Sequence, residues 1–107
     1  MKDKIYYASW GYDMTMNDYV KVLEENGKTA KVVIIGCRVE NDNGMGSGRS
    51  YPNPDIIKSQ PFRLRIRSYN NKPYLKGSYP FVDGSESKRM GMFTEYSGNG
   101  NYYNTWD

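Results

Sequence analysis

The residues best suited to chemistry in this sequence are cations gathered in one segment. Residues 56–82 contain no carboxylate and carry six cations, which are Lys58, Arg63, Arg65, Arg67, Lys72 and Lys76. The whole chain has a formal net charge of only +3, so the remaining residues sum to −3. The sequence therefore predicts that this segment binds an anion or an acidic surface.

The arginines of this segment alternate with apolar residues in the stretch FRLRIR (62–67). In a β-strand, this alternation directs Phe62, Leu64 and Ile66 into the core and places the arginines on the opposite face. We name Arg63, Arg65 and Arg67 the arginine row. Alternate side chains lie about 6.6 Å apart, so the arginine row spans about 13 Å and could meet several phosphates or carboxylates. The alternative is a solvent-exposed face that adds little beyond solubility, with its arginines paired to Glu24, Glu25 or Glu40.

Further candidate binding residues lie beside these cations. Tyr69, Tyr74 and Tyr79 are interleaved with them and could stack on exposed bases. Arg49 follows a Gly-rich stretch and could contribute to an anion site. That stretch does not predict a phosphate-binding loop, because such loops lead into a helix and Pro52 and Pro54 exclude one here.

The chain lacks most of the residue types that enzymes use. It has no histidine, which excludes His-based triads, and its single cysteine cannot form a zinc cluster. Cys37 lies in the apolar run VVIIGCRV (32–39) and is predicted to be a small buried hydrophobic residue. Asp13, Asn17 and Asp18 lack the Gly and distal Glu of a calcium loop and favour a local turn. We expect a protein that is not an enzyme and that uses neither a cofactor nor a metal.

The hydrophobic pattern has a period of two and predicts an all-β protein. Six segments favour strand, at 5–10, 18–24, 29–39, 62–69, 73–81 and 90–97. Asn26-Gly27 and Asn70-Asn71 predict hairpins with type I′ turns, in which both central residues have a positive φ. Strands this short and numerous indicate a small SH3-like or OB-like barrel, or a strongly bent antiparallel sheet of five or six strands.

The sequence predicts one domain over residues 1–107, with a long loop at 41–60 and a C-terminal tail at 97–107. In the tail, Tyr102, Tyr103 and Trp106 either cap the barrel or, if mobile, anchor a partner. Trp10 is expected to be buried. Hydrophobic content is 37%, and eleven tyrosines raise the aromatic share to 15%, so tyrosine supplies much of the core and of the binding surface.

No apolar run approaches the roughly 20 residues that span a bilayer, and the first residues do not follow the pattern of a signal peptide. The expected location is therefore the cytoplasm of the cell in which the protein is made, without a membrane partner.

Two segments, SWGYDMTMNDYVKV (9–22) and SGRSYPNPD (47–55), together with the basic strand and the Tyr-rich end, resemble a known family. Its members are short proteins encoded by phages and mobile elements, with the opening Trp-x-Tyr-Asp-x-Thr-Asn-x-Asp-Phe-Tyr and a Ser-Gly-Arg loop before prolines. The matching residues here are Trp10, Tyr12, Asp13, Thr15, Asp18, Tyr19, Ser47, Gly48 and Arg49. The chain departs from the family at Met14, Met16 and Tyr19-Val20, where Gln, Asn and Phe-Tyr are usual.

The resemblance implies a genomic setting rather than an activity. Small phage-encoded proteins without catalytic residues are often inhibitors of host defence, including anti-CRISPR proteins. It implies a bacterial cytoplasmic inhibitor whose partner is a defence effector, such as a CRISPR nuclease complex, or the effector's nucleic acid. Two alternatives remain: a nucleic-acid-binding barrel with a housekeeping role in the phage, and a structural component of virion assembly.

Overall fold

The computed structural model describes residues 3–10, 16–41, 47–80, 88–98 and 101–104, and the side chains of 3–9, 17–38, 40, 48–79 and 90–98. Within these ranges the chain is all-β, as predicted. The strands are β1 (Ile5–Trp10), β2 (Met16–Glu25), β3 (Thr29–Asn41), β4 (Ser47–Ile57), β5 (Phe62–Tyr69), β6 (Lys72–Pro80), β7 (Lys88–Glu95) and β8 (Asn101–Asn104).

Six of these strands close into an antiparallel barrel. The pairing runs from β1 through β2, β3, β5, β6 and β7, and β7 pairs back onto β1. The predicted small antiparallel barrel is confirmed. Closure gives each barrel strand a neighbour on both sides, which satisfies backbone groups that an open sheet would leave at its edges.

The two remaining strands form an extension of the barrel wall. Along one edge of β3, residues 29–32 pair with β5 and residues 35–41 pair with β4. The N–H of Lys58 donates to the Ile34 carbonyl (2.7 Å), and the Ser59 hydroxyl accepts from the Ile34 N–H (2.9 Å), so the link from β4 to β5 stays on β3. Because β8 pairs with β4, the end of β3, β4 and β8 form a three-stranded unit that we name the outer ribbon.

The predicted loop at 41–60 is wrong for residues 47–57, which form β4. Two prolines concealed this strand, because proline lacks the N–H that a central strand needs. β8 pairs only with residues 47–50 of β4, so the part with Pro52 and Pro54 has one edge without a strand partner among the described residues. Prolines are tolerated at such an edge.

The predicted tail at 97–107 also contains a strand, since residues 101–104 form β8. The side chains of Tyr102 and Tyr103, and all of Trp106, lie outside the described residues. Their capping or anchoring role stays a prediction, as does the burial of Trp10, whose side chain is likewise not described.

Both predicted hairpins are present, but only one has the predicted turn. Asn70 and Asn71 have φ of 50° and 64°, as a type I′ turn requires. In the first hairpin, Gly27 has a positive φ and Asn26 does not. There the Asn26 side-chain oxygen accepts from the backbone N–H groups of Lys28 (3.1 Å) and Thr29 (2.8 Å), which closes the turn by a different route.

The hydrophobic residues form two layers. The barrel interior is filled by one buried cluster that includes Tyr6, Val20, Leu64, Leu75 and Phe93. A second cluster consists of Tyr19, Val33 and Ile35, with Ile5, Tyr7, Leu23 and Tyr96 packed against it. Tyr19 and Val33 belong to strands whose alternate residues fill the interior, so this second cluster lies on the outer side of the wall.

The outer ribbon is fastened to that side of the wall. The Tyr19 hydroxyl lies 3.0 Å from the Ser50 carbonyl oxygen, to which it donates, and 2.6 Å from the Ser50 hydroxyl oxygen. The amide of Asn17 donates to the same Ser50 hydroxyl (2.9 Å). These bonds position β4 on the side of the wall that carries the second cluster.

Candidate anion-binding face of the barrel

The arginine row points outward from the barrel, as the sequence predicts. Leu64 of β5 is 1% exposed, and Phe62 and Ile66 pack partly buried against the interior cluster. All three arginines of the row are exposed. The alternation predicted a single register, because a slip by one residue would bury three guanidinium groups.

The neighbouring strand extends this surface. Lys72, Tyr74 and Lys76 of β6 alternate with the buried Leu75 and lie on the outer side with the arginine row. In the register of β5 and β6, Arg65 is opposite Lys76, Arg67 is opposite Tyr74, and Tyr69 is opposite Lys72. Seven of the predicted site residues therefore share one surface.

Strand β7 adds residues that the sequence analysis did not select. Met92 is opposite Lys76 and Thr94 is opposite Tyr74, while the intervening Phe93 is fully buried. Met90 and Met92 are 66% and 58% exposed. The alternation in MGMFT was the available signal, but it shows only that the methionines and Phe93 point to different faces of the strand. The order of strands in the barrel decides that they join the arginines. We name the outer side of β5, β6 and β7 the basic face.

Like charges stand opposite each other on this face and on the adjoining strand β3. The pairs are Arg65 with Lys76, and Arg63 with Lys31. Directly opposite side chains have Cβ atoms about 4.5–5.5 Å apart, and like charges at that separation are destabilising. Glu24, which is in register with Lys31 and paired with Arg63, offsets the second repulsion. An anion beside Arg65 and Lys76 would relieve the first.

One member of the arginine row has a carboxylate partner. An Nη atom of Arg63 lies 3.4 Å from a carboxylate oxygen of Glu24, and another donates to the hydroxyl of Thr29 (3.2 Å). Arg63 therefore fits the alternative interpretation, in which an arginine on a solvent-exposed face is paired with a glutamate. Such a pair contributes about 0–1 kcal/mol to stability. In the described part of the chain, four other cations of the face have neither an ion pair nor a side-chain hydrogen bond: Arg65, Arg67, Lys72 and Lys76.

A groove of about 850 Å³ opens at one end of the basic face. Its walls come from the end of β5, from β6 and β7, and from the chain that follows β7. Three tyrosines line it, Tyr69, Tyr74 and Tyr96, and Tyr69 is 73% exposed. No sequence pattern predicts this groove, because its walls come from segments that meet only when β7 pairs with β6.

The structure separates three predicted residues from the face. Arg49 lies on the outer ribbon, in register with Glu40 and Tyr102. Lys58 lies in the link from β4 to β5, outside the three strands of the face. The prediction that Tyr79 stacks on a base is wrong: it is 3% exposed and its hydroxyl donates to Asp18 (2.9 Å). Tyr79 follows Leu75 by four positions, so the period of two assigns both to the interior.

The residues that carry the family resemblance include several with structural contacts. Asp18 accepts the hydrogen bond of Tyr79, and Tyr19 bonds to Ser50, which directly follows the Ser-Gly-Arg segment. The two segments of the resemblance are thus adjacent in space, and their described residues hold the outer ribbon on the barrel.

The remaining chemical groups of the described chain give no sign of a catalytic centre. Cys37 is exposed, so its predicted burial is wrong. The pairing of β3 with β2 ends at Ile35, and Cys37 lies beyond that point. Partial desolvation raises the pKa of its thiol, which disfavours the reactive thiolate. Among the described residues, no group of three or more His, Cys, Asp or Glu is placed to hold a metal ion. A helix able to cross a membrane is likewise absent from them.

Comparison of the chain with protein-family models, with curated proteins and with solved structures finds no match.

Proposed function

We propose that this protein is a non-catalytic inhibitor that holds a nucleic-acid strand on its basic face. In this proposal it acts in counter-defence, by occupying the guide or target strand of a bacterial nuclease complex such as a CRISPR effector. The binding step is supported by the geometry of the face, and the counter-defence setting is supported by the resemblance to phage-encoded proteins.

The observation that carries the binding step is the arrangement of charge. Five cations, Arg63, Arg65, Arg67, Lys72 and Lys76, lie on the same side of two adjacent strands, and Arg65 stands in register with Lys76. A folded protein gains nothing from such a like-charge pair in the absence of an anion. Phosphates spaced along a strand would satisfy several of these cations at once, and each contact would release condensed counterions.

An acidic patch on a protein is the competing ligand for the same face. Arginine and tyrosine are both enriched in protein interfaces, and carboxylates would meet the same guanidinium groups. The continuous line of cations, with no acidic residue among them, favours a ligand with a regularly repeating negative charge. A housekeeping role in the phage and a role in virion assembly would use the same face.

The binding step is tested by titrating the protein against a fluorescein-labelled single-stranded oligonucleotide, with fluorescence anisotropy as the readout. We expect the logarithm of the affinity to fall linearly with the logarithm of the salt concentration between about 50 and 200 mM. The expected slope is about −0.7 for each phosphate neutralised. Absence of binding at low salt would overturn the proposal, and so would an affinity that does not change with salt.

The counter-defence setting is tested by affinity pull-down from lysate of a bacterium that carries a nuclease defence system. Recovery of the nuclease complex by the wild type, but not by a variant that lacks the arginine row, would support inhibition. Recovery of nucleic acid without a nuclease would instead identify the housekeeping alternative. Inhibition of target cleavage by the purified complex is the direct confirmation.

A further inference from the structure

We infer that the groove beside the basic face is a binding site for an unstacked nucleobase, so that the ligand is single-stranded rather than duplex. This inference rests on the proposed function and specifies its ligand. The occupant we assign to the groove is one or two bases of a strand whose phosphates lie along β5 and β6.

The size and composition of the groove suit a flat, partly apolar group. Its volume of about 850 Å³ lies within the range of sites that enclose small ligands. The residues that line it include Tyr69, Tyr74, Tyr96, Pro73 and Met92. Every base has an apolar π-face, and stacking on tyrosine is tolerant of sequence.

Two of the groove's rings are free to receive a base. Tyr69 is 73% exposed. Within the described chain, neither Tyr69 nor Tyr74 packs against another aromatic ring or forms a side-chain hydrogen bond. Exposure of an aromatic ring is unfavourable in the free protein, so burial by a ligand would be a gain.

The third ring forms a fixed wall. Tyr96 meets Tyr19 edge to face, with ring centroids 5.8 Å apart. Its N–H also donates to the carbonyl oxygen of Ile5 (2.9 Å). Tyr96 is therefore held in place before any ligand arrives, which lowers the entropic cost of binding.

Charge next to the groove identifies its occupant as part of a polyanion. Lys72 is in register with Tyr69, and Arg67 is in register with Tyr74, so a cation stands beside each free ring. Among the described residues that line the groove, the one carboxylate is Glu95, which is paired with the ammonium of Lys4 at 3.0 Å. The hydrogen bond from Lys4 to Glu95 raises the pKa of Lys4, so the lysine remains charged and offsets the carboxylate.

The length of β5 agrees with a site for a short stretch of single-stranded nucleic acid. From Arg63 to Tyr69 the outward side chains extend over about 20 Å, at about 6.6 Å for each pair of residues. OB folds, which are also small antiparallel barrels, cover about 4 to 16 nucleotides of a single strand. A duplex keeps its bases paired and stacked, and would meet the cations without filling the groove.

The test compares three probes by fluorescence anisotropy: a single-stranded oligonucleotide of about 12 nucleotides, the corresponding duplex, and a single strand of abasic sites with the same number of phosphates. We expect the wild type to bind the single strand about tenfold or more tightly than the abasic strand. The double variant Tyr69→Ala, Tyr74→Ala should lose that preference and bind the abasic strand as the wild type does.

Matched variants separate stacking from folding. Tyr69→Phe with Tyr74→Phe keeps the rings and should bind the single strand within about threefold of the wild type. Tyr69→Ala alone, at a mostly exposed position, should retain the wild-type melting temperature and still weaken single-strand binding about fivefold or more. These two variants keep the inference testable if the double alanine variant does not fold.

The possible results distinguish this inference from the proposed function. If the single strand and the abasic strand bind equally, and the alanine variants bind as the wild type does, the groove is not a base site although nucleic-acid binding stands. If no probe binds and the face instead captures an acidic protein, both are overturned.

Discussion

Replacement of the arginine row by glutamine (Arg63→Gln, Arg65→Gln, Arg67→Gln) should leave the barrel folded and weaken oligonucleotide binding. This perturbation separates the two interpretations of the basic face. If the arginines serve only solubility, their loss has no effect on binding; if they bind phosphates, it has a large one.

The expected change in stability is small because two effects oppose each other. The pair of Arg63 with Glu24, whose side chains are 50% and 60% exposed, contributes about 0–1 kcal/mol. Removal of Arg65 relieves its repulsion with Lys76, by about 0.2–1 kcal/mol. We expect the free energy of unfolding to change by less than about 1 kcal/mol, which corresponds to a melting-temperature shift below about 8 °C.

The expected change in binding is larger. A charge-assisted hydrogen bond contributes about 1.5–3 kcal/mol when it is desolvated, and a solvent-exposed contact contributes less. Even about 0.5 kcal/mol for each of three contacts would reduce the affinity about tenfold. The slope of log affinity against log salt should also become shallower by about 2, since three phosphate contacts at about 0.7 each are lost.

Fluorescence anisotropy with the labelled single strand measures both quantities, and circular dichroism reports the fold. A control variant with the same loss of charge, Arg38→Gln, Arg49→Gln, Lys58→Gln, alters exposed cations on the outer ribbon and in the link from β4 to β5. It should retain affinity within about threefold, because general attraction is screened over a Debye length of about 8–10 Å. Equal losses in the two variants would show diffuse attraction instead of a site. Wild-type affinity in the arginine variant would refute the site assignment.

Three further changes test the barrel and its surroundings. Gly91→Ala should destabilise the fold by about 1–3 kcal/mol in urea unfolding, because a Cβ there would lie 2.5 Å from Cε1 of Tyr79; an unchanged midpoint would contradict the described packing. Tyr19→Phe should cost about 1–3 kcal/mol and speed amide exchange in β4, since it removes the hydroxyl contacts with Ser50; unchanged exchange would show that β4 is held by other means. Cys37 should react with iodoacetamide more slowly than free cysteine near pH 8.5, because desolvation raises its pKa and leaves less thiolate; equal rates would disprove the shift.

The local geometry of individual strands could be predicted from the residue pattern. β1 and β5 begin and end where the hydrophobic pattern predicted, and the arginine row faces outward. The reason is that alternation in a strand has a period of two, so a few consecutive residues assign both faces. The turn at Asn70-Asn71 was equally predictable, because a type I′ turn needs a positive φ at both central residues and asparagine is one of the few residue types that accept it. At Asn26-Gly27 the hairpin was predicted correctly but the type I′ turn was wrong, because Asn26 lacks a positive φ and its side chain closes the turn instead.

The barrel's tertiary structure decided which surfaces exist. Alternation places Met92 and Phe93 on different faces of β7 but does not show that β7 lies beside β6. The groove and its Met92 therefore could not be found from the sequence. Cys37 was predicted to be buried because its neighbours in the chain are apolar, yet β3 continues past the barrel and leaves it exposed. Pro52 likewise argued against a strand, yet it is tolerated in β4 because one edge of β4 at that position has no strand partner among the described residues. In each case the outcome depends on pairing between segments distant in the chain, which local periodicity does not encode.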